Sequence, residues 1–238
     1  MKKKIPKIIH QIWSGIEDPI PETFIRFGES WKRDYPDWEY VLWDHAKMEN
    51  FVEQHYPEYS DIYHRFPYNI QRWDAIRYLI LYKLGGMYVD FDYESLKSLQ
   101  PVLEGRDCCF PSEQEADPDN GKKLVFNNAL MACVPAHPFM RAIIEKVFTE
   151  ESLNPGDIKR EDCVMKTTGP WMLMELYESI SPEMREKVYL IPSRYVTPLN
   201  PYITNLLKTK LTYHSVAHCL EEAYAIHHFY NTWIGRRT

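Results

Sequence analysis

Two carboxylates near the middle of the chain, Asp90 and Asp92, have the types and spacing for cation chemistry. They close the stretch WDAIRYLILYKLGGMYVDFD, which runs from Trp73 to Asp92. Residues two apart face the same way on a strand, and at a strand end they can share one cation. Two carboxylates with phosphate oxygens and waters suit Mg²⁺ or Mn²⁺. The adjacent His227 and His228 are either packing or surface histidines or the source of an imidazole ligand, which favours Mn²⁺. Strand alternation lets only one of those two rings reach a shared site. A D-x-D pair by itself arises often by chance, so its weight depends on what precedes it.

A helix is predicted from Tyr68 to Leu84, with Gly85-Gly86 as its left-handed stop and Met87–Phe91 as the strand that follows. Around that helix, Ile70, Trp73, Leu81 and Leu84 share a side with Asp74 and Arg77. Two charges inside an apolar face must be compensated. Either they pair with each other at i, i+3, or both point over the helix end into a ligand pocket. Spacing alone leaves both readings open. Open α/β sheets place ligands beyond the carboxyl ends of their strands, where the aspartate pair would lie.

The other elements are legible from their punctuation. Strands are expected at Lys7–Trp13, Glu39–Trp43, Cys108–Phe110, Leu124–Val134 and Val188–Ile191, and a strand-like end at Ala223–Trp233. Helices are expected at Glu22–Tyr35, His45–His55 (capped by Asp44), Pro138–Glu150 and Trp171–Ile180. Early alternation of strand and helix indicates an α/β layered fold with a mainly parallel sheet. The acidic, turn-rich segment after Phe110 reads as an exposed hairpin or flap. Asn127 and Asn128 interrupt a buried run, as structural amides or as donors to a ligand.

The 238 residues, with no repeat and no linker-like stretch, indicate one domain. Charged residues are 26% and hydrophobic ones 45%, which excludes disorder. A net charge of −6 argues against nucleic acid as a partner. Five cysteines without C-x-x-C spacing predict a reducing, cytoplasmic setting, with vicinal Cys108-Cys109 a buried apolar step. No apolar run is long enough to span a bilayer. Lys2, Lys3 and Lys4 read as a solvated tail, with a peripheral membrane contact as the alternative. There is no G-x-S-x-G elbow, Walker loop, H-E-x-x-H or dinucleotide-binding glycine fingerprint.

The segments IPKIIHQIW, RWDAIRYLILYKLGGMYVDFD and HHFYNTW together resemble the D-x-D sugar transferases of glycosyltransferase family 32, the Och1-like and capsular-polysaccharide type. They are more distantly similar to the glucosylating domains of clostridial toxins. The resemblance covers the first half of the chain and its end. It implies a GT-A, Rossmann-like fold with a mixed, mainly parallel sheet, a nucleotide-sugar donor (a UDP-sugar, with GDP-mannose as the second choice) and Mn²⁺ or Mg²⁺. It implies retaining transfer to a glycan or lipid-linked oligosaccharide in surface polysaccharide synthesis. Carried over by residue, Asp92 coordinates the metal, and Asp90 contacts the ribose and the metal shell. Arg77 holds the diphosphate or donor sugar, and Asp74 accepts from sugar hydroxyls. Trp13 stacks on the base, Asn127 or Asn128 lines the sugar pocket, His227 is the third ligand and Trp233 closes over the nucleotide. Thr232 stands where the family often has Ser. Acceptor contacts are expected within Ser112–Lys123 and Asn154–Thr168.

Overall fold

The computed structural model describes residues 4–154 and 156–232. Its strands are β1 (Ile8–Ile12), β2 (Glu39–Trp43), β3 (Gly86–Val89), β4 (Tyr93–Ser95), β5 (Cys108–Gln114), β6 (Val125–Phe126), β7 (Leu130–Cys133), β8 (Tyr189–Ile191) and β9 (Ala225–His227). Among the described residues, one seven-stranded sheet runs in the order β2-β1-β3-β7-β5-β6, with β8 added on β5. β1 pairs in parallel with both β2 and β3. β7 runs antiparallel to β3 and to β5, and β8 is parallel to β5. Hence β2, β1, β3, β5 and β8 point one way, while β7 and β6 oppose them. The sheet is mixed and mainly of one direction, as the sequence indicated. β4 and β9 form a separate antiparallel ribbon beyond the end of β3.

Helices follow the caps. α1 (Glu22–Asp34) starts after Pro21, and α2 (His45–His55) is capped by Asp44, which accepts from the Lys47 amide at 2.8 Å. α3 (Pro57–Arg65) follows directly on α2, because proline suits the first turn of a new helix. α4 (Asn69–Leu84) is the central helix. The Tyr68 amide before it donates to Gln71 Oε1 at 3.2 Å, and Gly85, at φ 67°, ends it. Ile76, Leu79, Ile80 and Leu81 are fully buried on α4, each contributing about 1.5–3 kcal/mol. Further helices are α5 (Gln100–Leu103), α6 (Pro138–Val147), α7 (Glu150–Leu153), α8 (Arg160–Thr167) and α9 (Pro170–Ser179), of which α8 and α9 reach the site.

Alternation along the strands divides the core. Tyr88, Cys108, Met131 and Cys133 join the cluster under α4 and α6, whereas Met87, Val89, Cys109 and Ala132 pack on the other face with Trp31. The glycine pair lets β3 enter between β1 and β7. A Cβ on Gly86, which has φ 95°, would sit 2.6 Å from the Ile8 carbonyl oxygen. Gly86→Ala therefore combines a left-handed backbone with an overpacked sheet and is expected to cost roughly 2–5 kcal/mol. Urea unfolding reads this as a lower midpoint at unchanged slope.

Three expectations shift. The Leu124–Val134 run splits into β6 and β7 at Asn127-Asn128, and α8 occupies a stretch with no legible period. β3 ends at Val89, so Asp90 and Asp92 lie in a turn rather than on the strand. The Tyr93 amide closes that turn on the Asp90 carbonyl at 3.1 Å.

Candidate functional site

A cavity of ≈ 260 Å³ lies at the carboxyl ends of β1 and β3. Its wall includes Trp13, which follows β1, and Asp90 and Asp92, which follow β3. Asp74 and Arg77 reach it from α4, Asn128 from the β6–β7 break, and His227 from β9. The sequence-predicted residues that converge on one cavity thus come from five parts of the chain.

Arg77 is the hub. Its guanidinium lies 2.9 Å from Asp74 Oδ1 and 3.2 Å from Asp90 Oδ1, and it donates to the Asn128 carbonyl at 3.1 Å and the Trp73 carbonyl at 3.2 Å. It also lies over the Tyr88 ring at 4.6 Å. The two readings of the Asp74–Arg77 pair are therefore both realised: the charges pair with each other and face the cavity. Arg77 spends its donors on protein acceptors, so its geometry here is that of a clamp between two carboxylates rather than a phosphate fork.

Asp74 accepts from Thr168 Oγ1 at 3.0 Å and Asn128 Nδ2 at 3.1 Å. Burial pushes its carboxyl up to about 6, against the pull of Arg77. Asp90 is raised by burial too; Arg77 opposes the shift and the nearby Asp92 charge adds to it. Tyr88 Oη donates to Asp90 Oδ1 at 2.5 Å. Asp92 moves the other way. Burial would raise it, but the His227 imidazole and the Tyr230 amide, which donates to Oδ2 at 2.9 Å, hold it below the usual carboxylate range.

The two histidines separate as strand alternation requires. His227 Nε2 lies 3.4 Å from Asp92 Oδ1, and His228 Nε2 lies 3.0 Å from Glu94 Oε2. The His227 ring is clamped between Tyr93, at 4.4 Å and 8°, and Phe229, at 3.9 Å and 33°. Its Nδ1 is buried without a hydrogen-bond partner. Burial would lower the His227 pKa, and the Asp92 carboxylate outweighs it and raises it.

Asp92 and His227 fit two ligand positions of a divalent cation, whereas Asp90 stands farther off, held by Arg77 and Tyr88 and not within 4.8 Å of both. Oxygen and nitrogen ligands on adjacent corners of an octahedron lie roughly 3 Å apart, which the Asp92–His227 spacing approaches. An aspartate in the turn after β3 and a histidine from β9 suit Mn²⁺ as well as Mg²⁺. The need is electrostatic as well. A diphosphate brought against Asp90 and Asp92 alone meets like charge, and a cation between them reverses the sign.

The structure also revises the wall. Asn127 does not face the cavity: its Nδ2 donates to Glu113 Oε1 at 2.6 Å, and its Oδ1 accepts from the Ala129 amide at 2.8 Å. It positions Glu113, which does line the cavity and which sequence reading had placed in an exposed flap. Arg160, at the start of α8, joins the wall and lies 5.2 Å over the Tyr68 ring. Trp13 meets Phe24 and Phe91 edge-on, and its Nε1 donates to the Asp18 carbonyl at 2.7 Å. Thr232 is on the wall, whereas Trp233 lies outside the described residues.

Comparison with known proteins defines the class. The fold resembles that of the PaToxG glycosyltransferase, with a TM-score of 0.53 and 17% identity over 77% of this chain and 74% of that one. It is the α/β GT-A fold expected from the sequence. Residues 21–108 match the family described as "Glycosyltransferase sugar-binding region containing DXD motif". The chain is 30% identical over 194 residues to inositol phosphoceramide mannosyltransferase 1 of Schizosaccharomyces pombe, covering 80% of this chain and 57% of that protein. It is 36% identical over 143 residues to inositol phosphoceramide mannosyltransferase 3 of the same organism, covering 60% and 37%. The chain spans about half the length of the curated relatives it matches.

Proposed function

We propose that the chain is a metal-dependent glycosyltransferase that moves a hexose from a nucleotide sugar to a glycan or lipid-linked acceptor. The convergence of Asp90, Asp92 and His227 with the Asp74–Arg77 clamp and Asn128, in one cavity at the carboxyl ends of the strands, carries this reading. The printed names of the relatives make mannose, and hence GDP-mannose, the first donor to test, with UDP-sugars next.

Asp92 and His227 would hold the cation, with Asp90 beside them. The cation, when bound, neutralises the charge that builds on the departing diphosphate. Arg77 keeps both aspartates in place, and Asp74 and Asn128 meet sugar hydroxyls. Trp13 offers the nucleoside an aromatic wall. The reaction retains the anomeric configuration, with attack from the leaving-group face. Glu113 stands on the same wall, held by Asn127, where an acceptor hydroxyl would enter.

The acceptor belongs to a surface glycan or a phosphoinositol-type glycolipid. Ile16 and Ile25, about half exposed, follow closely on the wall residues Ser14 and Phe24 and suit an amphiphilic acceptor. The enzyme would then work at a membrane surface, on its cytoplasmic side. No described helix is long and apolar enough to cross a membrane.

A melting-temperature screen tests the donor. A ligand that binds only the native state adds RT ln(1 + [L]/Kd) to its stability, about 2.7 kcal/mol at a hundredfold excess over Kd. One nucleotide sugar should raise the melting temperature with Mn²⁺ or Mg²⁺ and fail to do so in EDTA. No shift with any donor in either metal would refute the proposal. Release of free sugar at the same rate with and without acceptor would make the protein a hydrolase instead.

A further inference from the structure

At the end of the sheet away from the cavity, Cys108 on β5 stands directly opposite Cys133 on β7. The sequence offered no partner for the vicinal Cys108-Cys109 pair, but the register supplies one. The Val134 amide donates to the Asp107 carbonyl at 2.8 Å, which makes Asp107–Val134 a hydrogen-bonded pair of this antiparallel ladder. Cys108–Cys133 is therefore a non-hydrogen-bonded pair, the kind whose Cα atoms approach to about 4.5 Å and whose side chains come closest. That spacing lies within the range a disulfide spans, about 4.4–6.8 Å. Both thiols are fully buried on the same face of the sheet, and their sulfurs lie within 4.8 Å of each other. Cys109, one residue on, points to the opposite face.

We propose that Cys108 and Cys133 close a cross-strand disulfide when the chain folds in an oxidising thiol–disulfide buffer, and stay as two thiols in the reducing setting that the cysteine pattern predicts. One thiolate attacks a sulfur of oxidised glutathione and releases one glutathione thiolate. The second cysteine thiolate then attacks the cysteine sulfur of the mixed disulfide and releases the other. Two thiols become one disulfide, oxidised glutathione becomes two glutathiones, and the two cysteine protons end on them. Burial and the neighbouring thiol raise the Cys108 pKa, so native thiols react slowly and the bond forms as β5 and β7 pair. The bond staples the segment that carries Glu113, Asn127 and Asn128, and so holds that side of the cavity wall.

His137 brings a ring nitrogen within 4.8 Å of both sulfurs, so a Cys-Cys-His metal clip is the competing use of the same atoms. Its Nδ1 already accepts from the Phe139 amide at 3.2 Å, at the start of α6. Metal binding there would take away a lone pair that caps a helix, whereas the disulfide leaves it in place.

The test refolds the whole chain in a glutathione buffer, alkylates the free thiols under denaturing conditions and maps peptides without reduction. The expected product joins the Cys108 and Cys133 peptides, with Cys109, Cys163 and Cys219 alkylated. Reducing that bond should lower the melting temperature by about 5–10 °C. Cys133→Ser should remove both the cross-link and the reductant effect, and Cys109→Ser should keep both. Alkylation of Cys108 and Cys133 in the refolded wild type overturns the proposal without recourse to a variant. So does stoichiometric zinc in that same protein.

Discussion

Asp92→Asn is expected to lower sugar transfer by about 10²-fold or more, the scale on which a lost electrostatic contact to the developing charge is felt. The substitution keeps size and one carbonyl oxygen, so the Tyr230 amide can still find an acceptor where Asp92 Oδ2 now receives it at 2.9 Å. What disappears is the charge. It is the carboxylate that faces the His227 imidazole, and its own pKa is held low enough to keep it ionised at neutral pH. The loss should fall on the metal-dependent step. Added Mn²⁺ should rescue little, and the melting temperature of the free protein should change far less than the rate. His227 loses its counter-charge in this variant, so its pKa should fall, and an imidazole NMR titration would follow that.

The second large effect is on stability. Arg77→Ala removes the cation between two carboxylates, one of which, Asp74, is buried to 5% exposure. Breaking a buried pair from one side costs about 3–5 kcal/mol, because the remaining charge has no compensation. Here two acids are left, and the Asn128 and Trp73 carbonyls lose a donor. Denaturant unfolding should show a loss at or above that range at neutral pH. The loss should shrink in acid, where the orphaned carboxylates take up protons. Arg77→Lys keeps the charge but cannot bridge Asp74, Asp90 and the Asn128 carbonyl at once, so it should recover only part of the stability. A variant that unfolds at the wild-type urea midpoint would show that the clamp carries no weight.

The central device was largely legible because each part of it carries its own punctuation. α4 declares itself by apolar spacing and the Gly85-Gly86 stop, and α2 by the Asp44 cap. The D-x-D pair gains its weight from the apolar strand Met87–Val89 and the glycine stop that precede it. Its exact setting did not show. Phe91 between the aspartates reads as one more strand residue, yet it leaves the sheet to pack with Phe24 and Phe27. That departure turns Asp90 and Asp92 onto a loop, where Arg77 and His227 can reach them.

Glu113 lies in the Ser112–Lys123 segment expected to meet the acceptor, but nothing singled it out there. It sits in an acidic, turn-rich run whose composition signals exposure, and only the β5–β6 pairing and Asn127 bring it onto the wall. α8 was missed because its packing toward α4 rests on few apolar side chains, Cys163 and Val164 among them, and on the bond from Gln71 Nε2 to Thr167 Oγ1 at 2.9 Å. The partnership of Cys108 with Cys133 depends on strand register, which no local pattern encodes. Arg77 shows the reverse case: its place in the site and its i, i+3 pairing with Asp74 were legible, but its bonds to Asp90 and to the Asn128 and Trp73 carbonyls were not.

The most direct test of the metal site is calorimetric titration of GDP and UDP into wild-type protein and Asp92→Asn, with Mn²⁺ and with EDTA. The structure predicts that one nucleotide binds the wild type only with the cation, and that Asp92→Asn in Mn²⁺ behaves like the wild type in EDTA. Equal affinity in all four conditions would mean that the diphosphate does not meet a cation at Asp92, and would contradict the account.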